Sequence, residues 1–187
     1  MAPPRARRAR PPLDEKRLEE LALRYVERFA TTRAKLRDYL ARKLRERGWE
    51  GGREPDVAEL AERFARQGYV DDAAYARAKS QSLTARGFGK RRLVDKLRAA
   101  GVGEEDSDEA RAHAEEEAVN AALRFAERRR IGPFAATARR DPKEREKALA
   151  MMVRAGHSFA LAREIVSIPA GSDIDLADLH ERFGPRR

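Results

Sequence analysis

LARKLRERG (Leu40–Gly48), LVDKLRAAG (Leu93–Gly101) and ALAMMVRAG (Ala148–Gly156) are three instances of one pattern. Each closes on glycine, and each carries an apolar residue four and eight positions earlier: Leu44 and Leu40, Leu97 and Leu93, Met152 and Ala148. That spacing is one face of an α-helix, and glycine readily takes the left-handed conformation that ends a helix. Gly48 and Gly101 lie 53 positions apart, Gly101 and Gly156 55. A near-constant period of this length signals a repeat architecture, in which each unit buries its apolar face against its neighbours.

Reading outward, each of these basic helices has a helix on either side. Leu18, Leu21, Ala22, Tyr25, Val26 and Phe29 fall on one helix face behind Asp14, a candidate N-cap. Thr31 or Thr32 caps the helix that carries Leu36, Tyr39, Leu40 and Leu44, and Pro55-Asp56 opens a third with Val57, Leu60, Ala61 and Phe64, closed by Gly68. The flanking helices of the second block are expected over 71–85 and roughly 108–114, those of the third over 115–130 and 158–166, although 108–130 also reads as one continuous helix. Period-two alternation is not sustained anywhere and β-branched residues are scarce. The expected fold is all-α, a tandem array of three three-helix repeats, elongated and curved, over 13–68, 69–114 and 115–168. A disordered basic arm, 1–12, and a polar C-terminal tail, 169–187, flank it. The acidic stretch 103–117 is read as an insertion at the end of the second repeat, and both it and the tail as mobile surface material.

Composition agrees with a long face in place of a deep pocket. Of 187 residues 41% are hydrophobic and 39% charged, so the core must be spread thinly over many amphipathic elements. Cysteine is absent, which excludes disulfides and cysteine-based metal or nucleophile sites and fits a reducing compartment. Met1–Pro12 is basic and proline-rich without a following apolar core, which is not the pattern of a signal peptide, and the expected location is the cytoplasm. The formal charge is +9 with a pI near 10.2. It is unevenly placed: residues 1–102 carry 26 basic and 15 acidic side chains, and 103–187 carry 15 and 17. A polyanion-facing surface is therefore expected in the first half.

No enzyme site assembles from the residues. His113, His157 and His180 stand apart in sequence, outside any metal-ligand spacing, and read as surface or partly buried histidines. Gly87-Phe88-Gly89 lacks the third glycine and the preceding strand of a dinucleotide site, and no Walker A sequence is present. Asp71-Asp72 directly precedes a helix, where carboxylates cap N–H groups, and Met151, Met152, Tyr25, Phe29, Tyr39 and Phe64 fit core positions. No cofactor or metal is expected.

The basic residues of the middle helices carry the sharper expectation. Arg33, Arg37, Lys43, Arg45 and Arg47 in the first block, and Arg86, Lys90, Arg91, Arg92, Lys96 and Arg98 in the second, face only Asp38, Glu46 and Asp95 within the same stretches. A charged helix face is commonly just solvated, but here the excess recurs at one place in two blocks. These eleven are the candidate contacts to DNA or to a DNA-coated partner, through phosphates and without sequence reading. With few exposed aromatics expected beyond Trp49 and Phe88, base stacking should be limited.

The run Gly68-Tyr69-Val70-Asp71-Asp72-Ala73-Ala74-Tyr75-Ala76, then Arg86-Gly87-Phe88-Gly89-Lys90-Arg91-Arg92-Leu93, Leu97, Gly101 and Val102, resembles the central signature of RecX regulatory proteins. Ala22-Leu23-Arg24-Tyr25-Val26, Leu36, Leu40, Arg47 and Gly48 resemble that family's opening repeat. The resemblance spans roughly 18–168 and is strongest over 36–102. It implies a tandem array of three-helix repeats lying in the groove of the RecA–DNA filament, obstructing its extension and lowering its ATPase, strand-exchange and co-protease activities in recombination and the SOS response. On that reading the ATP belongs to the partner, the protein is a monomer rather than an enzyme, and single- and double-stranded DNA are bound without sequence preference. The competing readings are an autonomous DNA-binding module and a helical adaptor unrelated to DNA.

Overall fold

Side-chain caps start six of the helices. The Asp14 carboxylate accepts from the Arg17 amide at 2.8 Å, Thr32 Oγ1 from Lys35 at 3.2 Å, Asp56 from Ala58 and Glu59, and Ser158 Oγ from Leu161 at 3.3 Å. The structure, a computed structural model, describes residues 11–137 and 141–185. Among these residues ten α-helices follow one another: α1 (Glu15–Arg28), α2 (Arg33–Arg47), α3 (Val57–Arg66), α4 (Asp72–Ala85), α5 (Lys90–Ala99), α6 (Glu104–Glu116), α7 (Ala118–Arg129), α8 (Pro142–Arg154), α9 (Phe159–Ser167) and α10 (Leu176–Phe183). A 3-10 turn, Gly132–Phe134, follows α7. The described residues contain no strand, only an isolated bridge between Leu13 and Trp49. The fold is all-α. The basic arm's Arg5, Arg7, Arg8 and Arg10 lie outside the described residues.

The chain divides into two compact units, Met1–Asp71 and Asp72–Arg187. In the first, α1 to α3 bury Leu18, Ala22, Leu36, Leu40, Ala61 and Phe64 together with Leu13 and Val70. Leu13 is sealed in by donating to the Gly48 carbonyl and accepting from the Glu50 amide, both at 2.9 Å. The second unit holds two apolar clusters. Ala76, Leu83, Leu93, Leu97, Ala110 and Ala114 come from α4 to α6, and a larger set from Val119 to Leu179 comes from α7 to α10; Phe88 packs against both. Small residues let α4 and α6 approach closely. The Ser80 hydroxyl, fully buried, donates to the Ala110 carbonyl at 2.8 Å and sits 3.0 Å from His113 Nδ1. Having spent its hydrogen, that hydroxyl accepts from the imidazole.

Three sequence expectations need correction, and one alternative is settled. The acidic stretch 103–117 is α6, whose Ser107, Ala110 and Ala114 are buried, while Glu104, Glu105 and Asp106 sit in the first turn, where carboxylates oppose the helix dipole. Alanines at every fourth position make that face bury despite its charge, and neighbouring acids hide it from a hydropathy reading. The chain breaks between α6 and α7 at Glu117, so no continuous helix runs over 108–130; a hydrogen bond from Arg124 holds the Glu117 carboxyl below the usual range, against the opposing effect of burial. The C-terminal segment also docks. Leu179 of α10 is 3% exposed, and Arg182 bridges Glu164 of α9 and Asp178, each at 2.8 Å. Among the aromatics placed in the core, Phe29 is instead 49% exposed.

The close contact that organises the second unit joins the end of α8 to the start of α5. The Gly89 amide donates to the Ala155 carbonyl at 3.0 Å, and the Arg91 amide to Gly156 at 3.2 Å. Orphan carbonyls of one helix thus satisfy orphan amides of another, and the negative end of one dipole meets the positive end of the other. Glycine is required on both sides: a Cβ on Gly89 would lie 2.3 Å from the Gly156 oxygen, and one on Gly156, at φ +99°, 2.5 Å from the Arg92 nitrogen. His157, next in chain, is 2% exposed, more deeply buried than the surface or partly buried position expected of it, and its Nε2 donates to the Gly87 carbonyl at 3.1 Å. The Phe125 ring lies 5.5 Å away.

Two outcomes follow from this junction. Gly89→Ala should cost about 3 kcal/mol, as overpacking against unyielding atoms does. That is a fall of roughly 6–12 °C in the calorimetric midpoint. Gly52→Ala, with nothing within 4 Å of the new Cβ, should change it little, and equal midpoints for the two variants would contradict the junction. Burial pushes the His157 imidazole down to about 4, the Gly87 bond opposing it. The folded state therefore keeps it neutral where the unfolded chain protonates it. Its contribution, about 3 kcal/mol at most, is complete above pH 6.5 and lost as pH falls toward 4. His157→Gln, whose amide can still donate to Gly87, should flatten that loss in urea titrations; a variant with the wild-type slope would assign it to other groups.

Candidate nucleic-acid interface

The five basic candidates of the first unit all lie on α2, yet they do different things. Arg33 reaches Glu62 of α3 at 3.4 Å, and Arg37 bonds to its neighbour Asp38 at 3.2 Å. Lys43 pairs with Glu46 and lies 5.8 Å from the centre of the Tyr39 ring. Arg47 donates to the Pro11 carbonyl through Nε at 2.9 Å and Nη2 at 2.7 Å, so it anchors the chain entering the unit. Arg45 is exposed and has no side-chain partner among the described residues. The carboxylate of α3 facing Arg33 is distant in sequence, which is why a count along α2 overstates the free charge.

In the second unit the candidates sort onto two flanks of α5. Leu93 and Leu97 face the core. On one flank Lys90, Arg91, Val94, Asp95 and Arg98 line a groove of about 570 Å³, closed opposite by Glu115, Ala118, the Gly156–Ser158 turn, Leu161 and Phe183. Lys90 pairs with Glu115 at 2.6 Å across it. Arg91 and Arg98 have no side-chain partner among the described residues. Arg92 and Lys96 are exposed and do not line the groove. Arg86, at the end of α4, lies 5.3 Å from the Phe88 ring, and its carbonyl accepts from Arg128. The α5 N-terminus itself is not a phosphate cradle, because its Arg91 amide is taken by Gly156.

A group of residues that the sequence reading assigned to the core is partly on the surface. Tyr25 of α1 and Tyr39 of α2 stack at 4.1 Å and 13°, and Phe29 leans on Tyr25 at 5.4 Å. Arg28 lies 5.6 Å from the Phe29 ring, and Arg42 5.7 Å from Tyr39. Aromatic rings among guanidinium and ammonium groups are the combination on which unpaired bases stack. The available signal was Phe29's place at the very end of the apolar stripe, immediately before the Ala30-Thr31-Thr32 connection; it is the extended C-cap of α1, one residue past the helix. Among the described residues no group of His, Cys, Asp or Glu is placed to hold a metal ion, and no helix is long and apolar enough to cross a membrane.

Residues 71–110 match the second three-helix domain of RecX. The chain is 34% identical over 156 residues to the regulatory protein RecX of Myxococcus xanthus, covering 80% of this chain and 83% of that one. It is also 34% identical over 161 residues to the protein of the same name from a Mycobacterium species, strain KMS, covering 84% and 86%. The crystal structure of RecX from Lactobacillus salivarius superposes with a TM-score of 0.57 at 18% identity, over 81% of this chain and 93% of that one, a likeness of fold. With Gly89 of the second-block signature required by the α8–α5 junction, and more than four fifths of those relatives matched, the chain belongs to the RecX family of regulatory proteins.

Proposed function

We propose that this protein binds the RecA nucleoprotein filament in the cytoplasm and modulates it, mainly by inhibiting its ATPase, strand-exchange and co-protease activities in recombination and the SOS response. Family membership over most of the chain carries this reading. The protein acts as a monomeric array of three three-helix repeats, without a cofactor and without catalysing a reaction itself. Its contacts are drawn from Arg33, Arg37, Lys43, Arg45, Arg47, Arg86, Lys90, Arg91, Arg92, Lys96 and Arg98. Of these, Arg45, Arg92 and Lys96, exposed and without carboxylate partners among the described residues, are the best placed to take phosphates. A second reading, an autonomous sequence-independent DNA-binding protein, draws on the same cations and on the Tyr25–Phe29–Tyr39 group.

The deciding experiment titrates the protein into its cognate recombinase on single-stranded DNA and follows ATP hydrolysis. Inhibition well below one protein per recombinase supports filament regulation; an unchanged rate beside tight binding to bare DNA selects the second reading. Changing Arg45, Arg92 and Lys96 together to Ala should reduce the slope of log affinity against log salt by about 2 on single strands. Phe29→Ala should weaken binding to a single-stranded oligonucleotide by about 1–3 kcal/mol and leave duplex binding nearly intact. Equal losses on both forms would rule out stacking at Phe29.

A further inference from the structure

We propose that the groove between α5 and the α9–α10 side is a docking site for a peptide segment of a protein partner, one that carries carboxylates and apolar side chains. The proposal rests on the reading of the protein as a filament regulator and assigns this groove to the protein component of that filament, not to its DNA. Val94, Ala118, Leu161 and Phe183 give the groove an apolar lining, and Arg91 and Arg98 stand on its α5 wall without side-chain partners among the described residues. The charges in the lining do not cancel. Glu115 is occupied by Lys90 at 2.6 Å, which leaves Asp95 alone against two guanidinium groups.

An apolar lining beside fork-shaped cations suits a carboxylate-bearing peptide. Each guanidinium can take a carboxylate through two parallel hydrogen bonds, while an intervening Leu, Ile or Phe fills the space above Val94 and Ala118. A phosphodiester chain gains less, since its charged backbone would cover apolar surface without burying an apolar group, and the lining offers one aromatic ring on which to stack a base. The walls are also held in advance. Gly89 N to Ala155 O, Arg91 N to Gly156 O and His157 Nε2 to Gly87 O fix α5 against the Gly156–Ser158 turn, so little ordering remains to be done on binding. The Lys90–Glu115 pair is solvent-exposed, with side chains 40% and 51% accessible, and can exchange partners at little cost.

The test uses the full chain and a short fluorescein-labelled peptide of repeating Glu-Glu-Leu, with a Lys-Lys-Leu peptide and a single-stranded oligonucleotide as comparisons, read by anisotropy. Wild type should bind the acidic peptide and not the basic one. Arg91→Glu with Arg98→Glu should weaken that binding about tenfold or more, and so should Ala118→Leu, which fills the groove without touching its charge. Arg92→Glu with Lys96→Glu, off the groove, should leave peptide binding within about twofold and weaken the oligonucleotide instead. Circular dichroism confirms that each variant is folded, and the two surface charge variants keep the test decisive if Ala118→Leu is not. No binding of the acidic peptide at about 1 mM, or its displacement by the oligonucleotide together with oligonucleotide binding lost in the Arg91/Arg98 variant, overturns the proposal. So does a groove variant that inhibits recombinase ATPase as wild type does. If wild type itself does not inhibit, the filament reading fails first, and peptide binding reports on the groove alone.

Discussion

The second unit depends on one contact: the carbonyl end of α8 meeting the amide end of α5 with no side chain between them. Two helices rarely come so close end to end, because a Cβ on either partner would hold them apart. Gly89 and Gly156 remove that barrier, and the opposed dipoles make the meeting favourable. The consequences spread outward. His157 is carried into the interior to find the Gly87 carbonyl, Phe88 is turned between two apolar clusters, and the groove-lining flank of α5 is fixed against the following turn. An arginine-rich helix is thereby given a rigid position, which a partner can recognise without waiting for it to order.

The same contact separates two uses of positive charge on α5. Arg91 and Arg98 share a flank with Val94 and an apolar recess, whereas Arg92 and Lys96 stand in open solvent. A helix with a single uniformly basic face would bind any polyanion. A helix whose cations are divided between a recess and an open flank can hold a protein segment on one side and phosphates on the other. On α2 the division is between structure and surface: Arg47 holds the incoming chain at Pro11, Arg33 is drawn to α3, and Arg45 is left outward.

The aromatic residues show why pattern alone misjudges exposure. Tyr25 and Phe29 continue the apolar stripe of α1, and nothing in their spacing distinguishes them from Leu18 and Ala22. What exposes Phe29 is that α1 ends at Arg28: Phe29 is its C-cap, in extended backbone, so its side chain leaves the buried helix face that the stripe follows. The histidines show the reverse. His157 reads in sequence as a surface or partly buried histidine and is 2% exposed, following Gly156 at φ +99° and held by the Gly87 carbonyl beside the Phe125 ring.

The helical class, most helix starts and the three glycine-closed basic helices were legible in the residues, because caps, periodicity and glycine stops are local properties that act within a turn or two. Family membership was legible for the same reason: its signature glycines and apolar residues are consecutive or nearly so. The start of α6 at Glu104 and the burial of its Ser107–Ala110–Ala114 face, the docking of Leu179, the burial of His157, the exposure of Phe29 and the division of basic residues between paired, recessed and open positions were decided only by the tertiary structure. Each depends on what a distant element brings alongside: Ser80 under Ala110, Glu164 beside Arg182, Glu62 beside Arg33, Gly156 against Gly89. A side chain's charge is written in the sequence, but whether that charge is free depends on the dielectric and the partners around it, and those are set by packing.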